Sequence, residues 1–387
     1  MRQSPGTLHH DVRFDWIRGK MAHESGSRDS GLIGVRRLAG VAEITDHAGV
    51  KAAAKAWGAF SSDLLGDRDV RTYRQLPLEI DPPAHTGYRA ILTPVFGRQE
   101  VGALEPQLRA VARDLIAGLA RRGSMEAVTE LALPMVVASI GIVFGRPQDV
   151  AELQGWGVDA WHTQPDGTRD GSQIDAYLAR VFDEVVLRPG DDVFSRIAGG
   201  SIDGRPLSWI EMIGMGNLIL AGGRDTVIHL IVGALWHLAS HREARVRLAA
   251  DPARIQPAVD ELLRFLSPLA RMERIATGDV AGPWGQASRG DIVLLGFASA
   301  NHDPAVFADP GVVRLDRSPN PHVAFGNGPH TCIGVHLARM EAHVFLEELL
   351  AAVPDWRVGA GARIDVERFG GSKVPVHFHA LPIEVGA

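Results

Sequence analysis

The only cysteine of the chain, Cys332, stands in Phe325-Gly326-Asn-Gly-Pro-His330-Thr-Cys332-Ile-Gly334. The next segment, Val335 to Val353, carries apolar residues at helical period. That spacing puts the thiol at a helix N-terminus. Backbone N–H groups and the positive end of the helix dipole stabilise a thiolate there, which makes Cys332 a candidate metal ligand or nucleophile. The glycines at 326, 328 and 334 let a flat, bulky partner lie against the backbone.

Four further patterns carry chemistry. Ala221-Gly222-Gly223-Arg224-Asp225-Thr226 interrupts a long apolar run, where each glycine costs about 1 kcal/mol relative to alanine. Such a break lets small molecules approach the helix backbone while an acid and a hydroxyl relay protons. Glu261-Leu-Leu-Arg264 sets an acid and a base on one helix face at i, i+3. In Asp81-Pro-Pro-Ala-His85-Thr-Gly-Tyr-Arg89 a double proline opens a helix with His85 and Arg89 four apart on one face. Arg274 begins Arg-Ile-Ala-Thr-Gly-Asp-Val, ten residues after Arg264. Each of these side chains, taken alone, has an ordinary surface or core role as its alternative.

The elements that must position them are mostly helical. Ser208-Trp-Ile-Glu211 is a capping box opening an apolar run to about His241, a helix of roughly 30 residues and about 45 Å. Glu100 to Gly123, Met125 to Phe144 and Pro252 to Phe265 also have helical period. Gly34 to Ile44 reads as a strand pair, Arg274 to Val280 and Asp291 to Phe297 as short strands, and Trp156 to Ser172 as a loop. No repeat, low-complexity tract or composition shift divides the chain, so residues 1–387 are expected to form one domain, mainly α with a smaller β portion.

Composition excludes several classes. Of 387 residues, 45% are hydrophobic and 22% charged, which places the chain among globular proteins with a large core. A net charge of -6 disfavours a nucleic-acid binder held by phosphate neutralisation. One cysteine rules out an intramolecular disulfide and any zinc site built on two thiolates, and fits a reducing compartment. No run of about 18 apolar residues is free of polar interruption, and the N-terminus lacks an apolar signal core, so a cytoplasmic protein with no membrane association is expected.

The cysteine segment resembles the haem-ligand signature of the cytochrome P450 family, F-x-x-G-x-H-x-C-x-G, with every fixed position present. The other four patterns follow in the order that family requires, extending the resemblance from about residue 60 to the C-terminus. The resemblance implies the cytochrome P450 fold, with haem b (iron protoporphyrin IX) held by Cys332 as axial thiolate. Such a thiolate donates electron density to the metal and favours O–O cleavage. Phe325, Gly326 and Gly334 would shape the loop, and His85, Arg89, Arg274 and His330 would hold the two propionates, a buried dianion that demands charge-assisted partners. Glu261 and Arg264 would join Arg317, with His322 as fallback, in a buried network supporting the loop.

The implied activity is monooxygenation: one atom of O2 enters a small or medium hydrophobic substrate, and the other leaves as water. Asp225 and Thr226 would be the acid-alcohol pair, while Arg224 departs from the family's usual apolar or small residue. Leu218, Ala221, Gly222, Leu269, Ala270 and Arg271 would face substrate. With no nicotinamide or flavin fingerprint in the chain, electrons would come from a separate ferredoxin or flavodoxin with its reductase, docked on cations such as Arg89, Arg98, Arg109 and Arg339. Arg68, Arg71, Arg74 and Arg271 are either solvated or paired with Asp63, Asp67 and Asp69, or one of them, Arg271 first, reaches the cavity and reads a substrate carboxylate. A peroxygenase driven by H2O2, a non-catalytic haem sensor or electron carrier, and a thiol hydrolase using Cys332 are the alternatives.

Overall fold

The computed structural model describes residues 9–10, 35–38, 41–64, 73–158, 160 and 169–386. They gather into two compact units, each assembled from separate stretches of chain. Most of the loop expected between Trp156 and Ser172 lies outside the described residues.

The first unit takes the chain up to Leu92, Asp159–Leu220 and Met272–Leu295. Its five-stranded sheet has the order Val35–Leu38, Val41–Ile44, Ile292–Leu295, Met272–Ala276, Phe60–Ser61. The pair expected near Gly34 to Ile44 is an antiparallel hairpin, with Val35 opposite Ile44. Ile292–Leu295 joins it in parallel, Val293 facing Ala42, and pairs with Met272–Ala276 antiparallel. Val293, Leu294 and Leu295 are all buried, as a central strand covered on both faces requires. Tyr73 donates to Asp175 and accepts from Asn217, each at 2.8 Å, so the segment before Asp81 is tied to the Ser172–Leu187 and Trp209–Gly222 helices.

The second unit takes Thr93–Val158, Ala221–Arg271 and Gly296–Ala387. The Glu105–Arg122 helix buries Leu108, Ala112, Ile116 and Leu119 as one stripe and packs along Val335–Ala352. The helix expected from Met125 to Phe144 is resolved into three parts: strand Ser124–Glu126, π-helical Ala127–Ala132 and α-helix Leu133–Phe144. Pro134 explains the change, because its ring would strike the Glu130 carbonyl in a continuous α-helix, and a wider π turn moves that carbonyl aside. Trp356–Val358, Pro382–Val385 and Ser124–Glu126 form a three-stranded sheet beside the Arg363–Phe369 and Ser372–Ala380 hairpin.

The capping box forms: the Ser208 N–H donates to Glu211 at 2.6 Å, and the Glu211 N–H reaches back to the Ser208 hydroxyl at 3.4 Å. The run behind it is two helices rather than one, Trp209–Gly222 and Asp225–Ala239, with a turn at Gly223 and Arg224. Ala127–Phe144 and Trp209–Ala239 are long and apolar enough to cross a membrane, but 72% and 67% of these windows are buried inside the protein, as core helices are.

Candidate active site

The cysteine loop is shaped by its own backbone. Val323 N–H donates to the Asn301 side chain at 2.7 Å, Gly326 N–H to the Val323 carbonyl at 2.9 Å, and Cys332 N–H to the Phe325 carbonyl at 2.9 Å. Gly326 at φ 73° and Gly328 at φ 78° occupy the left-handed region, which a side chain would strain. Cys332 emerges exposed, two residues ahead of Gly334, the N-cap of Val335–Ala352. His330 and Phe325 beside it are half-buried.

Behind the loop lies a buried ion network. Glu261 and Arg264, both 0% exposed on the Ile255–Leu266 helix, make two bonds of 2.8 Å. Arg317 Nε lies 3.0 and 3.1 Å from the two Glu261 oxygens, and the Arg314 N–H adds a bond of 2.9 Å. Arg264 spends its remaining N–H groups on the carbonyls of Asn301, Pro310 and Val312, and Phe307 stacks beneath both guanidiniums. His322, the fallback, faces Asp260 at 3.5 Å instead.

At the helix break, Asp225 is exposed and Thr226 half-buried, its hydroxyl donating to the Gly222 carbonyl at 3.3 Å. The costly charge is Arg224, 4% exposed, which donates to the carbonyls of Leu153, at 3.1 Å, and Gly157. On the preceding turns Leu218, Ala221 and Gly222 are accessible while Ile219 and Leu220 are buried. Leu269 and Ala270 are half-buried, and the Ala270 carbonyl accepts from the Ala298 N–H at 3.0 Å.

His85, Arg89 and Arg274 belong to the first unit. His85 is buried in the Ala84–Leu92 helix, and its pKa is lowered by desolvation and then by Arg89 one turn on. Arg274 is 5% exposed and donates to the Glu273 carbonyl at 2.7 Å. Among the described residues no carboxylate lies within ion-pairing distance of it, and burial presses its pKa down to about 10 against the pull of Asp81. A buried guanidinium in that state matches an anionic group. Among the described residues no three His, Cys, Asp or Glu side chains converge as a metal site. Taken separately, the thiol ahead of a helix N-terminus in the second unit suits a haem iron, and the buried guanidinium in the first unit suits an anionic substituent.

The description Cytochrome P450 matches residues 254–352. The probable cytochrome P450 127A1 of Sinorhizobium fredii is 35% identical over 291 residues, 74% of this chain and 70% of that protein. This chain belongs to the cytochrome P450 family. The steroid C26-monooxygenase of Mycolicibacterium smegmatis is 32% identical over 74% of each chain. A solved structure titled as a carbohydrate active P450 superposes with a TM-score of 0.83 at 29% identity, covering 98% of both chains. The mainly α fold is thus the P450 fold, and the protein is a P450 monooxygenase with a haem cofactor.

Within this P450 several of the cations considered for substrate or partner binding already have acidic partners. Arg271 is engaged by Glu367 at 2.7 Å and lies over the Phe369 ring, so reading a substrate carboxylate would require breaking that pair. Arg74 is bidentate to Asp63, and Arg68 and Arg71 lie outside the described residues. Of the docking cations, Arg109 is shared by Glu105, Glu347 and Glu348, and Arg339 binds Asp260 while covering Phe325. The sequence reading missed Asn301, which anchors the loop start and also donates to Ser267 at 2.9 Å, and Asn320, 3.3 Å from Glu261. Asn301 is the last residue of the short apolar Phe297–Asn301 helix, and a polar side chain at that element end is the signal that was available; Asn320 lies in a loop and gave none.

Proposed function

We propose that this P450 hydroxylates a small or medium hydrophobic molecule, and that Cys332 would hold the iron of haem b through its thiolate. The observation that carries the reading is the one exposed thiol, set at a helix N-terminus on a left-handed glycine loop, which a structural cysteine does not require. His330, His85, Arg89 and Arg274 hold the propionates, and Phe325, Gly326 and Gly334 shape the loop around the sulfur. Glu261, Arg264 and Arg317 keep that loop from shifting. Bound haem supplies reduction of O2 and transfer of one oxygen atom to a C–H bond. Asp225, exposed at the break, takes protons from solvent, and Thr226 passes them on when its hydroxyl leaves the Gly222 carbonyl. Leu218, Ala221, Gly222, Leu269 and Ala270 border the substrate.

Electrons reach the single haem domain from a separate ferredoxin or flavodoxin with its reductase, in the cytoplasm. The paired acid and alcohol favour this route over direct use of peroxide, which needs no such relay. Reduced protein with CO is expected to show the red-shifted Soret band of a thiolate-ligated haem, and Cys332→Ser to lose it. The same band in the mutant would refute the ligand assignment.

A further inference from the structure

Arg224 is the one strongly basic group at the helix break, and its environment is unlike that of its neighbours. Its side chain is buried while Asp225, next in the chain, is exposed, so the two charges leave the backbone toward different surroundings. Burial lowers the pKa of Arg224, and the charge opposing that effect is Asp225. Its acceptors are the carbonyls of Leu153 and Gly157, at the end of the Val150–Gly155 helix. Carbonyls at a helix end lack intrahelical donors, and Gly157, at φ 69°, ends this helix with its own N–H on Gln154 at 3.1 Å. Among the described residues its hydrogen-bond partners are carbonyls alone, and a buried cation so placed costs stability unless the joint it makes is used.

Resting on the reading of Asp225 and Thr226 as the proton-delivering pair, we propose that Arg224 is a positioning residue. It ties the end of the Val150–Gly155 helix to the Gly223-Arg224 turn and thereby fixes where Asp225 and Thr226 stand. The position of that helix end then determines how completely electrons are spent on product rather than on peroxide. Arg224 touches no reacting atom in this role; it acts through Asp225.

Amide hydrogen exchange of the ferric holoenzyme tests the tie directly, with Arg224→Met removing both bonds and Arg224→Lys keeping the charge but not the fork. In Arg224→Met, exchange over residues 150–158 and 222–230 is expected to rise about tenfold or more, as loss of bonds to a charged donor allows. The peroxide released per electron pair should rise with it, and Arg224→Lys should recover part of both. If Arg224→Met does not retain haem, the Lys variant against the parent carries the same comparison. Unchanged exchange would overturn the proposal, and so would loosening confined to 150–158 with coupling intact, which would make Arg224 a plain helix anchor. Failure of the proton-delivery reading looks different: Asp225→Asn and Thr226→Ala would then keep both protection and coupling.

Discussion

Glu261→Gln is the sharpest perturbation of the support behind the cysteine loop. The substitution keeps the shape of the side chain but removes the charge shared by Arg264 and Arg317, and Gln brings N–H donors where Arg264, Arg317, the Arg314 N–H and Asn320 already donate. Removing one partner of a buried pair costs about 3 to 5 kcal/mol. With an unfolding entropy of about 2.1 cal/mol/K per residue, cooperative melting of all 387 residues turns that cost into a fall of roughly 4 to 6 °C. The fall is larger if the second unit melts alone, because fewer residues then share the transition. Arg317→Met leaves Glu261 neutralised by Arg264 and should cost about 1.5 to 3 kcal/mol, the value of a bond to a charged group. Calorimetry of the haem-loaded proteins, with the CO spectrum recorded through the transition, measures both. A melting point for Glu261→Gln within about 1 °C of the parent, or an Arg317→Met variant less stable than Glu261→Gln, would refute the reasoning.

Thr226→Ala should go on consuming reductant while releasing peroxide, and Asp225→Asn should slow turnover; unaltered coupling in the alanine variant excludes the relay. Because Arg271 already holds Glu367, a carboxylic acid and its methyl ester should bind within about threefold of each other in spin-state titrations; a tenfold preference for the acid, about 1.4 kcal/mol, would restore Arg271 as a carboxylate reader. Glu341 is buried on the Val335–Ala352 helix, and desolvation raises its pKa to about 8. Its neutral form is the folded one, so the stability it allows is fully present below the unfolded value near 4.5 and is lost as pH rises toward 8. Glu341→Gln should therefore match the parent near pH 4 and melt higher at pH 8 and above; parallel pH profiles would exclude this.

What the sequence disclosed depended on how local the determinant was. The capping box at Ser208 and Glu211, the stripe of Glu105–Arg122 and the helix after Cys332 are set by neighbours three or four residues apart, and all three appear in the structure. The break at Gly223 was legible because glycines in an apolar run have no packing reason. The π turn at Ala127–Ala132 was hidden, since Pro134 marks a disturbance without saying which helix geometry absorbs it. Partners of charged side chains were the least legible: Arg271 with Glu367, Arg109 with Glu347 and Glu348, and Arg224 with the carbonyls of Leu153 and Gly157 all join residues far apart in the chain. Periodicity carries no information about which distant acid or carbonyl a guanidinium will meet.

The parallel pairing of Val41–Ile44 with Ile292–Leu295 has a consequence for biosynthesis. Ala42 meets Val293 roughly 250 positions later, which at 5 to 20 residues per second leaves the N-terminal hairpin about 12 to 50 s on the ribosome before its sheet partner exists. The second unit waits longer still, because Ser124–Glu126 pairs with Pro382–Val385 near the C-terminus. Both sheets therefore close late, by long-range contacts that are slow to form. During translation the helices have local contacts to make while the strands offer open edges. A nascent chain stalled before residue 292 is expected to bind chaperones through its hairpin and to aggregate when they are scarce.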